Sequence, residues 1–277
     1  MAAQLLSVAR KRWPEGEAAA CFPFAVPSIA ALEPLELAVP VTFFVGENGS
    51  GKSTLLEALA VASRLPAVGR RDPASDETLS AQRALAEHLR LAWSRTRTHR
   101  GFFLRAEDFF GFAARLRADR AVLEARLQEI DEEFVGASDY VKGLARGPAA
   151  GSLREMERRY GQDLDHHSHG ESFLALLRSR LVPGGLYLLD EPEAALSPQS
   201  QLAFIAMVHE AIENGGQFVM ATHSPILMAI PGAVIVSFDE RPPRQVAFDQ
   251  LTHVTLMRDF LASPERFLRH LWGRSDT

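Results

Sequence analysis

Residues 46 to 53 read Gly-Glu-Asn-Gly-Ser-Gly-Lys-Ser, a spacing that suits the wrapping of a phosphate chain. The glycines let the backbone turn so that its N–H groups point inward, and a helix starting at the turn adds its positive end. The stretch Gly46, Glu47, Asn48, Gly49, Ser50, Gly51, Lys52, Ser53 and Thr54 is therefore the candidate nucleotide-binding cradle. Lys52 is expected to reach the β- and γ-phosphates of ATP, and the Ser53 hydroxyl to coordinate Mg²⁺. The basic residues are arginines except for Lys11, Lys52 and Lys142, a bias of codon usage that makes lysine at 52 informative.

A second site of the same chemistry closes the apolar run Leu186-Tyr-Leu-Leu-Asp190-Glu191. A buried strand does not end in two carboxylates for packing reasons, because each needs a cation or water to offset its desolvation. Asp190 is expected to hold Mg²⁺ through its waters. Glu191 is then placed to orient the attacking water or accept its proton beside the γ-phosphate. The bland reading, a solvated strand end, is credible for an isolated acid pair and weak in a chain that also carries Lys52.

These residues need elements to position them. Val41-Thr-Phe-Phe-Val45 reads as a buried strand running into the glycine turn, and Leu55, Leu56, Leu59 and Ala62 give the following segment helical spacing up to Ser63. The prolines and β-branched residues from Cys21 to Val45 suggest short strands leading into the central one. From about Thr78 to Asp165 the composition shifts to Ala, Arg, Glu and Leu, with helices expected at Leu79 to Trp93 and at Asp108 to Phe134. Leu123, Leu127, Ile130 and Phe134 follow a heptad-like seam too short for a long coiled-coil arm, so a packed helix is the reading. Gly143 to Ser152, rich in Gly, Ala and Pro, reads as a connection. Helices follow at Glu171 to Leu181 and Pro198 to Asn214, and strands at Leu186 to Asp190, Phe218 to Thr222 and Val234 to Phe238. The expected fold is α/β: a mostly parallel central sheet, an antiparallel N-terminal subdomain, and a helical lobe over about residues 64–165 inserted in a single domain spanning 1–277.

Bulk properties bound the rest. A chain of 277 residues with 47% hydrophobic content can bury a full core, and a net charge of -5 gives no global pull toward nucleic acid or an anionic membrane. Cys21, the single cysteine, excludes an internal disulfide and reads as a small buried residue in a reducing compartment. The basic residues of Met1 to Trp13 follow the apolar stretch, the wrong order for a secretory signal, so a cytoplasmic location is expected. Phe218 to Phe238 is nearly free of charge, but His223, Ser224, Pro225, Pro231 and Gly232 divide it into strand, turn, short helix and strand.

Between and after the two motifs the chain resembles the stand-alone prokaryotic ABC-type AAA family of ATPases. Ser168-His169-Gly170-Glu171 is similar to that family's signature sequence, Ala194-Ala-Leu-Ser197 to its D-loop, and Ala221-Thr-His223-Ser-Pro225 to its switch-histidine loop. The resemblance implies a P-loop NTPase fold of the ABC type, ATP hydrolysis with Mg²⁺, and a head-to-tail homodimer formed on ATP binding. It also implies that Ser168, the Gly170 amide and the helix they open act in trans on the γ-phosphate of the opposite subunit, while His223 senses that phosphate from its own. The chain departs from the pattern at His169, where glycine is usual, and at Ser197, where aspartate is common. No glutamine follows Gly101-Phe-Phe-Leu-Arg105, leaving Glu107 as the nearest polar candidate for a metal or water contact.

Other readings stay open. His166, His167 and His169 lack the further Cys or His spacing of a zinc site. Arg90, Arg95, Arg97, Arg100 and Arg105 could face nucleic acid, yet no groove-reading motif accompanies them, and such arginines are usually a solvated face. What hydrolysis drives is left between a module of nucleic acid maintenance or defence, the energy subunit of a transporter working with a membrane permease, and a slow nucleotide-dependent switch.

Overall fold

The computed structural model describes residues 3–68, 80–160 and 169–269. A six-stranded sheet has the order β5-β6-β7-β3-β8-β9, built from β3 (Val41–Val45), β5 (Gly101–Arg105), β6 (Leu186–Asp190), β7 (Gln217–Ala221), β8 (Val234–Ser237) and β9 (Arg244–Val246). All neighbours run parallel except β9, which turns back against β8. Every residue of β3, β6 and β7 is buried, as expected of central parallel strands covered on both faces. The helix that follows β3, α2 (Lys52–Ser63), packs on one face with a cluster that includes Leu55, Leu56 and Leu59; α7 (Pro198–Glu213) covers the other with Phe204 and Val208.

A second, antiparallel sheet has the order β2-β1-β4, with β1 at Leu5–Arg10, β2 at Leu35–Glu36 and β4 at Leu89–Trp93. Its first strand is the apolar start of the chain. Only β2 of the short strands expected between Cys21 and Val41 forms; Pro27–Ala30 is instead a helical turn, α1, with proline at its first position. Cys21 is exposed, contrary to the burial expected of it, because it ends a surface 3-10 turn at Gly16–Ala20.

The expected helix at Leu79 to Trp93 divides. Ser80–Glu87 forms α3, and Leu89–Trp93 leaves it as a strand with alternating burial that pairs with β1. Period-2 burial against an existing strand outweighs the helical leaning of Ala, Arg and Leu. The expected connection over Gly143 to Ser152 is also helical: it lies inside α5 (Asp139–Tyr160), Pro148 included. This helix packs on α4 (Ala106–Glu133), with Ile130 and Ala149 buried between partly covered neighbours, so tertiary packing carries residues of poor propensity. No helix among the described residues is long and apolar enough to cross a membrane.

One side chain joins the sheets. Gln217, 1% exposed at the head of β7, accepts the N–H groups of Gln4 and Leu5 on Oε1, both at 2.8 Å, and donates Nε2 to the carbonyls of Leu5 at 2.9 Å and Leu37 at 2.7 Å. Gln217→Leu fills similar space but strands these buried groups, and is expected to cost roughly 2–4 kcal/mol. A lower urea midpoint with unchanged slope measures it; an unshifted midpoint removes the hub from the account.

Candidate functional site

The glycine turn leaves β3 at Gly46, whose φ of 141° and close neighbours exclude a side chain: a Cβ there would lie 2.9 Å from Asp239 Oδ1. That carboxylate, just beyond β8, accepts the Glu47 N–H at 2.8 Å and ties the turn to the neighbouring strand. Gly51, at φ 102°, is crowded by α1, since a Cβ would meet Ser28 Oγ at 2.6 Å. Ser28 in turn donates to the Ser50 carbonyl, bracing the loop from outside. Lys52 opens α2, with Ser53 and Thr54 next along it, so the free amides of the first turn face the loop's concavity. Lys52 is 4% exposed, and its ammonium donates to the Gly46 and Glu47 carbonyls at 2.7 and 2.9 Å. Burial holds its pKa below the usual lysine value, opposed by Glu191 and Asp190.

Asp190 ends β6 buried beneath this helix and accepts the Ser53 hydroxyl at 3.0 Å. Desolvation pushes its carboxyl up to about 6, with the Ser53 hydrogen bond opposing. A buried carboxylate beside a hydroxyl is an all-oxygen donor pair that suits a hard divalent cation such as Mg²⁺. Glu191 then breaks from the strand in the left-handed region, at φ 50° and ψ 49°, with Pro192 next. Such backbone is uncommon outside glycine and gathers at functional sites. The Glu191 side chain is half-exposed, with Oε1 3.9 Å from His223 Nε2. His223 follows β7, and its backbone N–H donates to Glu193 Oε1 at 2.6 Å, so the acid strand's own loop fixes the histidine.

Sequence reasoning missed a buried ion pair here. Arg105, in register with Asp190 on β5, pairs with Glu57 from α2 and has its Nη1 3.5 Å from Glu107 Oε1. Burial raises the Glu57 carboxyl to about 7, with Arg105 opposing. At the position of the glutamine loop β5 passes straight into α4, and Glu107 lies largely exposed beside Arg105. A charge ending an apolar strand was the available signal, the one that exposed Asp190. Arg97 is also structural, stacked 3.5 Å above the Trp93 ring and donating to the Ser63 carbonyl at 3.0 Å, whereas Arg90, Arg95 and Arg100 are exposed.

Ser168, His166 and His167 lie outside the described residues, as does the side chain of His169. Helix α6 (His169–Arg180) begins at His169; Gly170 in its first turn is buried, with Ser200 Oγ 3.1 Å and the Ala195 carbonyl 3.4 Å from where a Cβ would stand. This end of α6 therefore meets the segment Ala194–Ser197, whose Ser197 caps α7 by accepting the Ser200 N–H. An open cavity of about 780 Å³ lies over the glycine loop, lined by Gly46–Ser50, His223, Asp239, Arg241, His253 and Leu256 among others, and by neither Gly170 nor Glu171. No group of three or more metal-ligating side chains occurs among the described residues.

Two family descriptions match the chain: "AAA domain" over residues 26–73 and "AAA domain, putative AbiEii toxin, Type IV TA system" over residues 172–229. The hemin import ATP-binding protein HmuV of Pseudomonas aeruginosa is 30% identical over 194 residues, 67% of each chain. The cytochrome c biogenesis ATP-binding export protein CcmA of Rhodopseudomonas palustris is 28% identical over 67% of this chain and 78% of its own. The phosphonates import ATP-binding protein PhnC of a Polaromonas strain is 29% identical over 65% of this chain, and the chain spans 62% of its length. Among solved structures, a nucleotide-free ATP-binding cassette from an ABC transporter overlaps at TM-score 0.46 and 17% identity, covering 98% of this chain and 100% of its own, a loose overlap that adds nothing to the sequence matches. On those matches, with the glycine loop, the paired acids and the histidine gathered at one end of a parallel sheet, the chain belongs to the ABC-type family of P-loop ATPases and is an ATP hydrolase.

Proposed function

We propose that the chain works as a head-to-tail dimer that closes around two ATP molecules, a single ABC-type domain over 1–277 whose inserted span of about 64–165 carries β4 and β5 of the two sheets as well as the helical lobe of α4 and α5. Lys52 and the amides of Gly46 to Thr54 bind the phosphates. Ser53 and Asp190 would hold Mg²⁺, which when bound neutralises charge on the β- and γ-oxygens. Glu191 takes the proton of the water that attacks the γ-phosphorus, the bond from phosphorus to the bridging oxygen breaks, and ADP leaves; His223 contacts the γ-phosphate. Glu107, with Oε1 3.5 Å from Arg105 Nη1, is assigned a metal or water contact at the margin of the site.

One observation carries the dimer. Gly170, in the first turn of α6, is buried against Ala195 and Ser200 of its own subunit and does not line the cavity over the glycine loop, which supports a signature that works on another copy's nucleotide. A phosphate-binding mutant, Lys52→Ala, and a signature mutant, Ser168→Glu, should each be inactive alone. Ser168 is preferred to Gly170, where a Cβ would press on Ser200 Oγ at 3.1 Å and disturb its own subunit. Mixed in equal amounts they should regain roughly a quarter of wild-type activity, since half the dimers carry one intact composite site. Subunit exchange without rescue, alongside an active linked dimer bearing a single Lys52→Ala change, would rule out the trans signature.

For the output we infer a cytoplasmic module of nucleic acid maintenance or defence. Its support is the toxin-system description matched over 172–229 and the exposed Arg90, Arg95 and Arg100. The names of the import and export relatives favour a second reading, an energy subunit coupled to a membrane permease. Against it stands Arg105 leading directly into α4 where transport relatives would offer a glutamine loop to the permease. Stimulation of turnover by DNA at moderate salt supports the first reading; co-purification with a permease supports the second.

A further inference from the structure

The cavity over the glycine loop has a wall that none of the motifs explains. It is formed by the start of α8 (Thr252–Ala262), which follows β9 and a 3-10 turn at Phe248–Gln250. His253 stands in the first turn of this helix, half-buried, and its Nε2 is shut off from solvent without a hydrogen-bond partner. A histidine serving only the core would have that nitrogen satisfied, because an unpaired buried polar atom carries its full desolvation cost. His223 lines the same cavity and also has a buried Nε2 with no hydrogen-bond partner. Two histidines, each with an unpaired Nε2 that a small turn of the ring would present, thus line one cavity together with Gly46 to Ser50.

We propose that His253 is a nucleotide ligand whose Nε2–H donates to an oxygen of the γ-phosphate from the side opposite the acid strand. The proposal rests on the reading of this cavity as the ATP site. The charges around the ring support the phosphate end: burial lowers its pKa most, His223 and Lys52 add to that effect, and Asp239, which holds the Glu47 amide, opposes it. Those three side chains surround the loop where the phosphates belong. The ring nitrogen that carries the proton is assigned from this requirement, since a phosphate oxygen only accepts. A hydrogen bond to a charged acceptor is among the stronger ones, and its loss should be visible in affinity. ADP, lacking the γ-phosphate, should notice far less.

The test uses the full chain and titration calorimetry with a β,γ-imido analogue of ATP and with ADP, both with Mg²⁺, so that no turnover intervenes. His253→Ala should bind the triphosphate analogue on the order of tenfold more weakly, with ADP affinity nearly unchanged. His253→Gln, which keeps an N–H donor, should regain most of the loss. Wild-type affinity for the analogue in a folded His253→Ala protein, with Lys52→Ala losing binding as a control, overturns the proposal and leaves the ATP site standing. Equal weakening of both nucleotides also overturns it, because a packing or base-side role moves both alike. If Lys52→Ala binds normally, the cavity is not the ATP site and both readings fall. Should His253→Ala not fold, the wild-type imidazole carbon–proton signal of His253 decides: it should move with the triphosphate analogue, and a signal that stays put under saturation refutes the contact.

Discussion

Lys52→Ala is expected to abolish measurable ATP binding while the protein stays folded. The side chain is buried, its ammonium is already partly desolvated, and it spans the loop by donating to the carbonyls of Gly46 and Glu47. In the complex that ammonium would turn toward the phosphates, exchanging two neutral acceptors for anionic ones, which makes the contact worth far more bound than free. Its loss should weaken ATP by at least about a hundredfold, two charge-assisted contacts at about 1.5–3 kcal/mol each. The loop itself should survive. The Asp239 contact to the Glu47 amide, the Ser28 contact to the Ser50 carbonyl and the packing of α1 on Gly51 do not involve the lysine. Removing a buried charge should leave the melting temperature unchanged or slightly raised. Calorimetric titration beside a thermal melt measures both, and undiminished ATP affinity in a folded mutant would refute the site.

Glu191→Gln should separate binding from chemistry. Glutamine has the same shape and the same backbone cost at φ 50°, so the turn at Pro192 and the hydrogen bond from the Glu191 amide to the Ala221 carbonyl should persist. What disappears is the carboxylate that can take a proton from water, an effect of about 10²–10⁴ in rate. ATP should then bind with near-normal affinity and stay intact, and the closed dimer should accumulate. Single-turnover assays measure the first consequence and light scattering with ATP the second. A glutamine variant that hydrolyses at the wild-type rate, or one that is strictly monomeric at high concentration, would contradict the assignment.

The parts of this site that could be read from the chain are those where chemistry and element boundary coincide. Val41 to Ser53 carries strand, turn and helix signals in order, and Leu186 to Glu191 puts charge where a buried strand must stop; both elements form where expected. Elements that depend on distant partners were not readable. Leu89–Trp93 has helical composition and becomes a strand only because β1, some eighty residues earlier, offers an edge. The helix over Asp139–Tyr160 absorbs Gly143, Gly147, Pro148 and Gly151 only because α4 lies alongside. Glu57 lies in a helix whose spacing gives no sign that an arginine 48 positions on will bury it, and His253 sits in an ordinary amphipathic segment until β9 folds back and brings it to the loop.

The side chain of Gln217 has a consequence for how the molecule comes apart. Because it holds the Leu5 N–H and C=O as well as the Leu37 carbonyl, the outer sheet cannot peel away without opening the first residue of a central strand. The amide of Leu5, on the outer sheet, is therefore locked to the interior. Its exchange with solvent deuterium should report on global unfolding, with the two sheets opening as a single foldon.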